Sequence, residues 1–467
     1  MLLSVYNIYF FLISYSYYFY SDWILSIFDL LLAPIYLIVI FFIASYIQNR
    51  NIDKHPLYKW YTKGLMVKLF GAVSVCLIYQ LYYTGGDTVN YFITSKALSN
   101  MLFKNYKVFF DIVFNGNNSY SNYMAFDNST GFPVFWRDEK ALFVSRLVTP
   151  LCLLSFQSFV VTAILLAWLC YTGIWRFFQL FNQQFPQLQK QFAISILFVP
   201  SVVFWGSGLL KDTITLSAVG WFTFHFYNFF IRKKYKIWSV LSILVASFLL
   251  IAIKPYILFA LLPGAIIWLT NEKLVKIKSK VLRAAAGPFF ISIGIGIGFL
   301  ALSRMGDVLG VYAIDKVLDK AVESNWDQKQ AYYGGNSFDI GDVKADPISM
   351  LGKAPQALAA TLFRPYLWDV RNPVMLISAI ENTYIMLLTI FLMFRLKFFG
   401  FFRLIGKNPL VLFAVLFSLF FAFSVGISIS NFGTLVRLKI PCIPFFVSSL
   451  FILKHLYEQQ SKKKLGV

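Results

Sequence analysis

Apolar runs of nearly constant length recur along this chain, separated by shorter polar or basic segments. The clear runs lie at 29–48, 65–83, 147–174, 191–209, 213–231, 237–253, 256–271, 284–302, 373–395, 409–428 and 437–453. Most are close to the ~20 residues that an α-helix needs to cross ~30 Å of hydrocarbon. The ~10-residue alternating segments of a membrane β-barrel are absent from the sequence. The pattern therefore predicts an all-α fold, a polytopic transmembrane helix bundle.

The number of spans depends on the N-terminal segment. Residues 1–20 are apolar and rich in tyrosine and phenylalanine, and Ser21-Asp22-Trp23 ends the run. Such a segment fits either a first span or an aromatic helix in the interface, where Tyr and Trp are favoured. It lacks the basic region and the small-residue cleavage site of a signal peptide. We predict eleven spans, or twelve if residues 1–21 cross the membrane, in a single integral membrane domain, 1–467.

Two long polar loops interrupt the bundle, at 84–146 and 303–372. Lysine and arginine in the connections give the orientation. One alternate set of connections holds 23 basic residues and only three acidic ones, Asp53, Glu272 and Glu458, whereas the opposite set holds the other 18 of the 21 acidic residues. The basic face is therefore predicted to be cytoplasmic and both long loops extracytoplasmic. We expect a multi-pass protein of the bacterial inner, cytoplasmic membrane.

Composition excludes several other classes. The formal net charge is +21, but the basic residues form short clusters at span ends, where the positive-inside rule and anionic lipids explain them. Nucleic acid is therefore not an expected partner. The four cysteines lie in separate apolar segments without close spacing, which argues against disulfides or a thiolate metal site. The three histidines are equally scattered, so no metal centre is predicted.

The charge distribution gives a direct topology prediction. Reporter fusions after Lys236, Lys280 and Lys407 should report the cytoplasm, and fusions near Asn117 and Asn336 should report the opposite side. Paired phosphatase and fluorescent-protein fusions at each position measure this. If the Asn117 and Lys236 fusions reported the same side, the orientation would be wrong.

The first candidate site lies where the run 65–83 gives way to the first long loop. Gly85-Gly86-Asp87 places a carboxylate directly after two glycines at the membrane rim, four residues before Tyr91. A carboxylate in this position could accept a proton from a substrate hydroxyl at the interface. The alternative is a helix N-cap for the following segment, a common role of Asp at a turn.

Further charges are predicted on the same side of the membrane and are costly there unless they meet an anion or a cavity. Structural alternatives exist: Lys211 could pair with the adjacent Asp212, and Lys254 could extend towards water. Glu381 lies about eight residues inside its span and is the deepest acid. Together these groups have the charge balance for holding a phosphate and activating a hydroxyl. The set comprises Lys211, Asp212, Lys254, Arg364, Glu381 and Arg437.

These segments resemble those of membrane enzymes that use polyprenyl-linked sugars. The similarity is to GT-C type glycosyltransferases and to polysaccharide polymerases of the Wzy or EpsG kind. It rests on Gly85-Gly86-Asp87 with Tyr91, on Pro200-Ser201 with Trp205 and Lys211-Asp212, and on Arg437 with Pro441 and Pro444. GT-C enzymes often carry a second acidic pair in the first loop, for which Asp138-Glu139 is the candidate, whereas the large soluble C-terminal domain of some members is missing here.

The resemblance implies glycosyl transfer at the extracytoplasmic face, from a polyprenyl-linked sugar to a glycan acceptor within the lipid membrane. It implies a catalytic role for Asp87, and the depth of Glu381 in its span makes Glu381 a second catalytic candidate. Substrate contacts would come from Tyr91, Lys211, Asp212, Lys254, Arg364 and Arg437. No cofactor is expected, although a divalent cation at Asp87 is left open.

Two other functions remain open from the sequence. A lipid or polysaccharide transporter or flippase would also gather charges inside a bundle, although many transporters are built from internal repeats and none is visible here. A non-enzymatic membrane subunit of an envelope assembly would have the same topology without a reactive site.

Overall fold

The computed structural model describes residues 24–234, 236–274, 316–330 and 336–465. Within these residues the chain is almost wholly helical; it contains no β-strand, only an isolated bridge between Ser337 and Asn431. The all-α, polytopic class predicted from the apolar runs is confirmed. The N-terminal segment 1–21 and the predicted span 284–302 lie outside the described residues.

Twenty α-helices make up the described part of the chain. The first ten are α1 Ile27–Ile52, α2 Tyr61–Leu81, α3 Asp87–Lys104, α4 Tyr106–Val113, α5 Tyr120–Tyr123, α6 Glu139–Leu154, α7 Phe159–Gln184, α8 Gln189–Phe192, α9 Pro200–Trp205 and α10 Lys211–Phe226. The others are α11 Lys236–Ile253, α12 Pro255–Leu274, α13 Val317–Asp327, α14 Pro347–Gly352, α15 Ala354–Phe363, α16 Pro373–Leu396, α17 Phe398–Lys407, α18 Pro409–Ser428, α19 Phe432–Leu438 and α20 Ile443–Leu465.

Six helical segments in the described residues are long and apolar enough to cross a membrane. They are Ile27–Ile52, Pro56–Leu81, Phe159–Gln184, Lys236–Ile253, Pro373–Leu396 and Pro409–Ser428. A seventh is obtained if α19 and α20, which meet at an angle of 67°, form one broken span. The candidate spans in the described residues are therefore of two kinds, continuous helices and an interrupted helix pair.

Residues 147–174, predicted as one span, form parts of two helices. α6 ends at Leu154, and Phe156 and Gln157 adopt left-handed φ angles of 54° and 61°. α7 then begins at Phe159. The Asp29 carboxylate accepts hydrogen bonds from the Ser158 hydroxyl (2.6 Å) and the Val160 N–H (2.9 Å), so it stabilises the start of α7. The prediction of one continuous helix over 147–174 was wrong, because the carboxylate of Asp29, distant in the sequence, stabilises a new helix start at this point.

The runs 191–209 and 437–453 are also interrupted, against prediction. The first contains a π-helical turn, Ala193–Leu197, and then the short helix α9, which begins at Pro200. Proline lacks the N–H that a continuous helix requires, so a break before Pro200 has a local cause. The second run is divided at residues 439–442, between α19 and α20, beside Pro441.

The chain folds into two compact units. Among the described residues, the first unit comprises those up to Tyr171 with Phe204–Thr213, and the second comprises Thr172–Val203 with those from Ile214 onward. In the first unit α1 packs on α2, and α3 packs chiefly on α6. The predicted loop 84–146 contains α3, α4, α5 and the start of α6. It has a hydrophobic cluster of its own, formed by Ala97, Leu98, Met101, Phe109, Ile112, Phe126, Trp136 and Leu142.

Helix α18 lies at the centre of the second unit. It contacts α12, α13, α15 and α20. The described helices of the loop 303–372 are thus anchored on a membrane span. The Thr361 hydroxyl of α15 donates to the Ala422 carbonyl of α18 (2.8 Å), and the Asn325 amide of α13 donates to the Ile427 carbonyl (3.0 Å).

A close helix contact in the second unit depends on glycine. A Cβ atom at Gly220 of α10 would overlap the Gly173 carbonyl oxygen of α7. Gly220→Ala should therefore destabilise the protein by roughly 1–3 kcal/mol, as overpacking does. Gly400→Ala is the control, because the nearest atom to its added methyl group, the Leu396 Cβ, is 4.0 Å away. Thermal unfolding of the purified variants measures the difference, and equal midpoints would contradict it.

Candidate functional site

Helices α3 and α6 of the first unit run side by side in the same direction. The Tyr91 ring lies 4.7 Å from the Phe135 ring, and the Ser95 hydroxyl donates to the Ser145 carbonyl (3.0 Å). Further along both segments, the Gln157 amide donates to the Asn100 side chain (2.7 Å). Because these contacts follow the same order in both segments, the N-terminal ends of α3 and α6 lie at the same end of the pair.

Asp87 is the first residue of α3, and Gly86 occupies the N-cap position. The N-cap role considered for Asp87 is therefore taken by the glycine. Gly86 has φ 113°, and an added Cβ would meet the Tyr79 ring at 3.0 Å, which explains why glycine precedes the acid. The half-buried Asp87 carboxylate belongs to the first turn of α3, where the helix dipole favours a negative charge.

Asp138 and Lys211 form an ion pair at the same end of the first unit. The Lys211 ammonium is 3.2 Å from the Asp138 carboxylate, which also caps α6 by accepting from the Ala141 N–H (2.9 Å). Burial alone would raise the pKa of Asp138. The Ala141 hydrogen bond and the Lys211 charge outweigh it and lower this pKa, so the carboxylate is ionised at neutral pH.

Helix α2 contacts the segment that precedes Lys211 and holds it in place. The buried Lys68 ammonium donates to the Gly206 carbonyl, immediately after α9. Gly208 lies against Val75, with no room for a Cβ. The Thr213 hydroxyl donates to the Gly208 carbonyl (2.7 Å), which closes the turn into α10. Lys68 thus satisfies a buried backbone oxygen at a point where the chain is not helical.

The structure separates the other first-unit candidates by burial. Asp212, in the first turn of α10, is 1% exposed. Tyr91 is 2% exposed and packs on Phe135, so its described contacts position α3. Asp87, Asp138 and Lys211 are the accessible charged groups of this set. We call these three residues the outer cluster.

In the second unit, Glu381 contacts the start of a short helix. Its carboxylate accepts from the Ser201 N–H (2.8 Å) and the Ser201 hydroxyl (2.6 Å), at the beginning of α9. A carboxylate at this position stabilises the N-terminal end of the helix. The depth of Glu381 in its span, which suggested catalysis, is thus explained by a structural contact.

Lys439 is the fully buried cation of the last, interrupted span, and it was not among the predicted site residues. Its ammonium donates to the Asn382 side chain (2.7 Å) and to the Arg364 carbonyl (3.0 Å), at the C-terminal end of α15. Asn382 follows Glu381 on α16. These two adjacent residues therefore contact both interruptions, Glu381 at the start of α9 and Asn382 at Lys439, between α19 and α20. The neighbouring Arg437 of α19 is half-buried. The sequence signal that could have found Lys439 is its place beside Arg437, as a second cation at the start of the last apolar run.

Arg364 and Lys254 also lie in the second unit. The Arg364 guanidinium lies over the rings of Phe338 (5.5 Å) and Tyr366 (5.3 Å) and 3.9 Å from the Asp369 carboxylate. Its described contacts order the segment before α16. Lys254 is 8% exposed and lies between α11 and α12, where its carbonyl accepts from the Ile257 N–H (3.1 Å).

Among the residues with described positions, no group of three or more His, Cys, Asp or Glu side chains could hold a metal ion. The divalent cation considered for Asp87 stays a hypothesis. The outer cluster can instead provide a carboxylate base, an ammonium group and the N-terminal ends of two helices, which attract anions.

Three comparisons with known proteins bear on identity. No family model, curated protein or solved structure matches this chain. Function is therefore inferred from the residues of the site itself.

Proposed function

We propose that the chain is an integral membrane glycosyltransferase or polysaccharide polymerase that uses polyprenyl-linked sugars at the extracytoplasmic face, in assembly of a cell-envelope glycan. The observation that supports this proposal is the outer cluster, Asp87, Asp138 and Lys211, at the common N-terminal end of α3 and α6. Such a site combines a base with groups that attract a phosphate.

In the proposed reaction, an acceptor hydroxyl attacks the anomeric carbon of the donor sugar. Asp87 accepts the hydroxyl proton as the new glycosidic bond forms. The bond between the sugar and the polyprenyl phosphate or diphosphate breaks, and its electron pair leaves with the phosphate oxygen. Lys211 and the helix N-terminal ends stabilise that developing charge.

The ion pair with Asp138 suits Lys211 to this role. An ammonium group has three donors, so one can hold the Asp138 carboxylate while another reaches a phosphate oxygen. Asp138 thereby fixes the direction of a flexible side chain without neutralising the whole site. A lipid-linked donor fits a bundle of apolar helices because its tail can stay in the bilayer.

A flippase or transporter is the second candidate, and the interrupted helices favour it. α9 is short and α19 meets α20 at 67°. Discontinuous helices of this kind form substrate sites in many transporters. At both interruptions, however, α16 makes a polar contact: Glu381 accepts from Ser201 at the start of α9, and Asn382 accepts from Lys439 in the segment between α19 and α20.

Reconstitution distinguishes the candidates. Purified protein in lipid vesicles would be given a radiolabelled polyprenyl diphosphate sugar and a glycan acceptor. The proposal expects labelled glycan together with an equal amount of released lipid phosphate or diphosphate. Movement of intact donor between leaflets, without consumption, would support transport instead. The absence of both turnover and movement would favour a non-enzymatic subunit.

A further inference from the structure

Helix α17 is a short amphipathic helix between two candidate membrane spans. It covers ten residues, Phe398–Lys407, and follows α16 directly after a left-handed residue, Lys397, with φ 58°. Asn408 then caps α18 by accepting from the Val411 N–H (3.1 Å). At 1.5 Å per residue α17 is only about 15 Å long, too short to cross a bilayer. Since spans flank it on both sides, it lies at the membrane surface.

The side chains of α17 divide into three sectors at about 100° per residue. Phe401, Leu404 and Ile405 are buried against the protein. The next sector around the helix holds Phe398, Phe399 and Phe402, which are 56%, 85% and 48% exposed. Arg403 and Lys407 follow on the far side of the phenylalanines and are exposed. One helix thus presents an aromatic face and a basic face side by side.

The charged residues in the stretch of chain around α17 are all positive. Arg395, Lys397, Arg403 and Lys407 are exposed, and residues 382–457 contain no aspartate or glutamate. Within the described residues, none of these four cations takes part in an ion pair. The described part of the chain therefore does not neutralise their charge, and an anionic partner would complete the surface.

We propose that α17 is a docking surface for anionic phospholipid headgroups of the cytoplasmic leaflet. The phenylalanines enter the boundary between headgroups and acyl chains, while Arg403 and Lys407 contact lipid phosphates, as in other interfacial helices. The charge rule places this connection on the cytoplasmic side, where anionic lipids attract cations. Because exposed aromatic and basic sectors lie on the same helix, a lipid surface is favoured over a soluble anion as the ligand.

The test uses the full-length protein, purified and delipidated. Binding of phosphatidylglycerol and of phosphatidylcholine is titrated by native mass spectrometry. Wild type should prefer phosphatidylglycerol. Arg403→Gln with Lys407→Gln should weaken phosphatidylglycerol binding about 30-fold, from the usual effect of two surface cations. The matched control, Lys316→Gln with Lys344→Gln, removes two exposed cations from the opposite loop and should leave binding unchanged.

Two further measurements separate a lipid surface from a phosphate site. Phe399→Ser should weaken phosphatidylglycerol binding, whereas Phe399→Trp should retain it. Glycerol 3-phosphate, which lacks acyl chains, should compete poorly. Equal binding of the two phospholipids by wild type would overturn the proposal, as would equal losses in both double variants. Efficient competition by glycerol 3-phosphate would replace the lipid surface with a soluble-phosphate site.

Discussion

Asp87→Asn should lower the rate of glycosyl transfer about 10²–10⁴-fold, because an amide cannot accept a proton near neutral pH. The fold should survive, since Gly86 occupies the N-cap of α3 and Asn keeps the shape of the side chain. The loss of a favourable dipole interaction costs only about 0.3–1 kcal/mol. Initial rates with a radiolabelled lipid-linked donor measure the effect, and solubilised folded protein is quantified in parallel.

The matched control for Asp87→Asn is Asp342→Asn. Asp342 is an exposed acid of the second long loop, outside the outer cluster, so its neutralisation makes the same change in charge. Only the Asp87 variant should lose activity. Normal transfer by a well-expressed Asp87→Asn protein would remove Asp87 from the mechanism, and equal losses in both variants would indicate a general electrostatic effect.

Lys439→Met should remove most of the folded protein. The substitution leaves the Asn382 side-chain oxygen and the Arg364 carbonyl, both contacted by the Lys439 ammonium, without that donor. Each buried oxygen left unsatisfied costs about 1–3 kcal/mol, a large part of the stability of a typical domain. Yield of monodisperse protein and its thermal midpoint should both fall sharply.

Arg437, two residues earlier, should behave in the opposite way. From the sequence alone, Arg437 is predicted to contact a donor phosphate, and its side chain is half-buried. Arg437→Ala should leave normal amounts of folded protein and lower transfer roughly 10²–10³-fold. Arg437→Lys should rescue only part of this loss, since lysine cannot form the bidentate contact. Loss of folded protein in Arg437→Ala would show that Arg437, like Lys439, is structural.

The sequence predicted continuous helices well because their signals are local. The starts of α16 and α18 illustrate this: each has asparagine at the N-cap and proline at the first position. A long apolar run follows in both cases. The interruption at Phe156–Gln157 has no comparable signal, because it lies within an apolar run and depends on Asp29, more than a hundred residues away.

The candidate site was predictable only in part for the same reason. Gly85-Gly86-Asp87 is a local motif, and its glycine requirement is explained by the Tyr79 ring. The contact between Lys211 and Asp138 joins residues 73 positions apart, so periodicity alone could not select Asp138 as the partner. Depth in a span does not reveal whether a charge meets a substrate or the end of a helix, as the contact between Glu381 and Ser201 illustrates.

The most direct test of the central claim, that the outer cluster binds a lipid-linked sugar, is photolabelling. A polyprenyl diphosphate sugar with a diazirine on the sugar would be irradiated with purified wild-type protein, and the labelled peptides identified by mass spectrometry. The account predicts labelling within residues 82–91 and 134–146, abolished by excess unlabelled donor. Labelling confined to peptides of the second unit, or insensitive to competition, would contradict it.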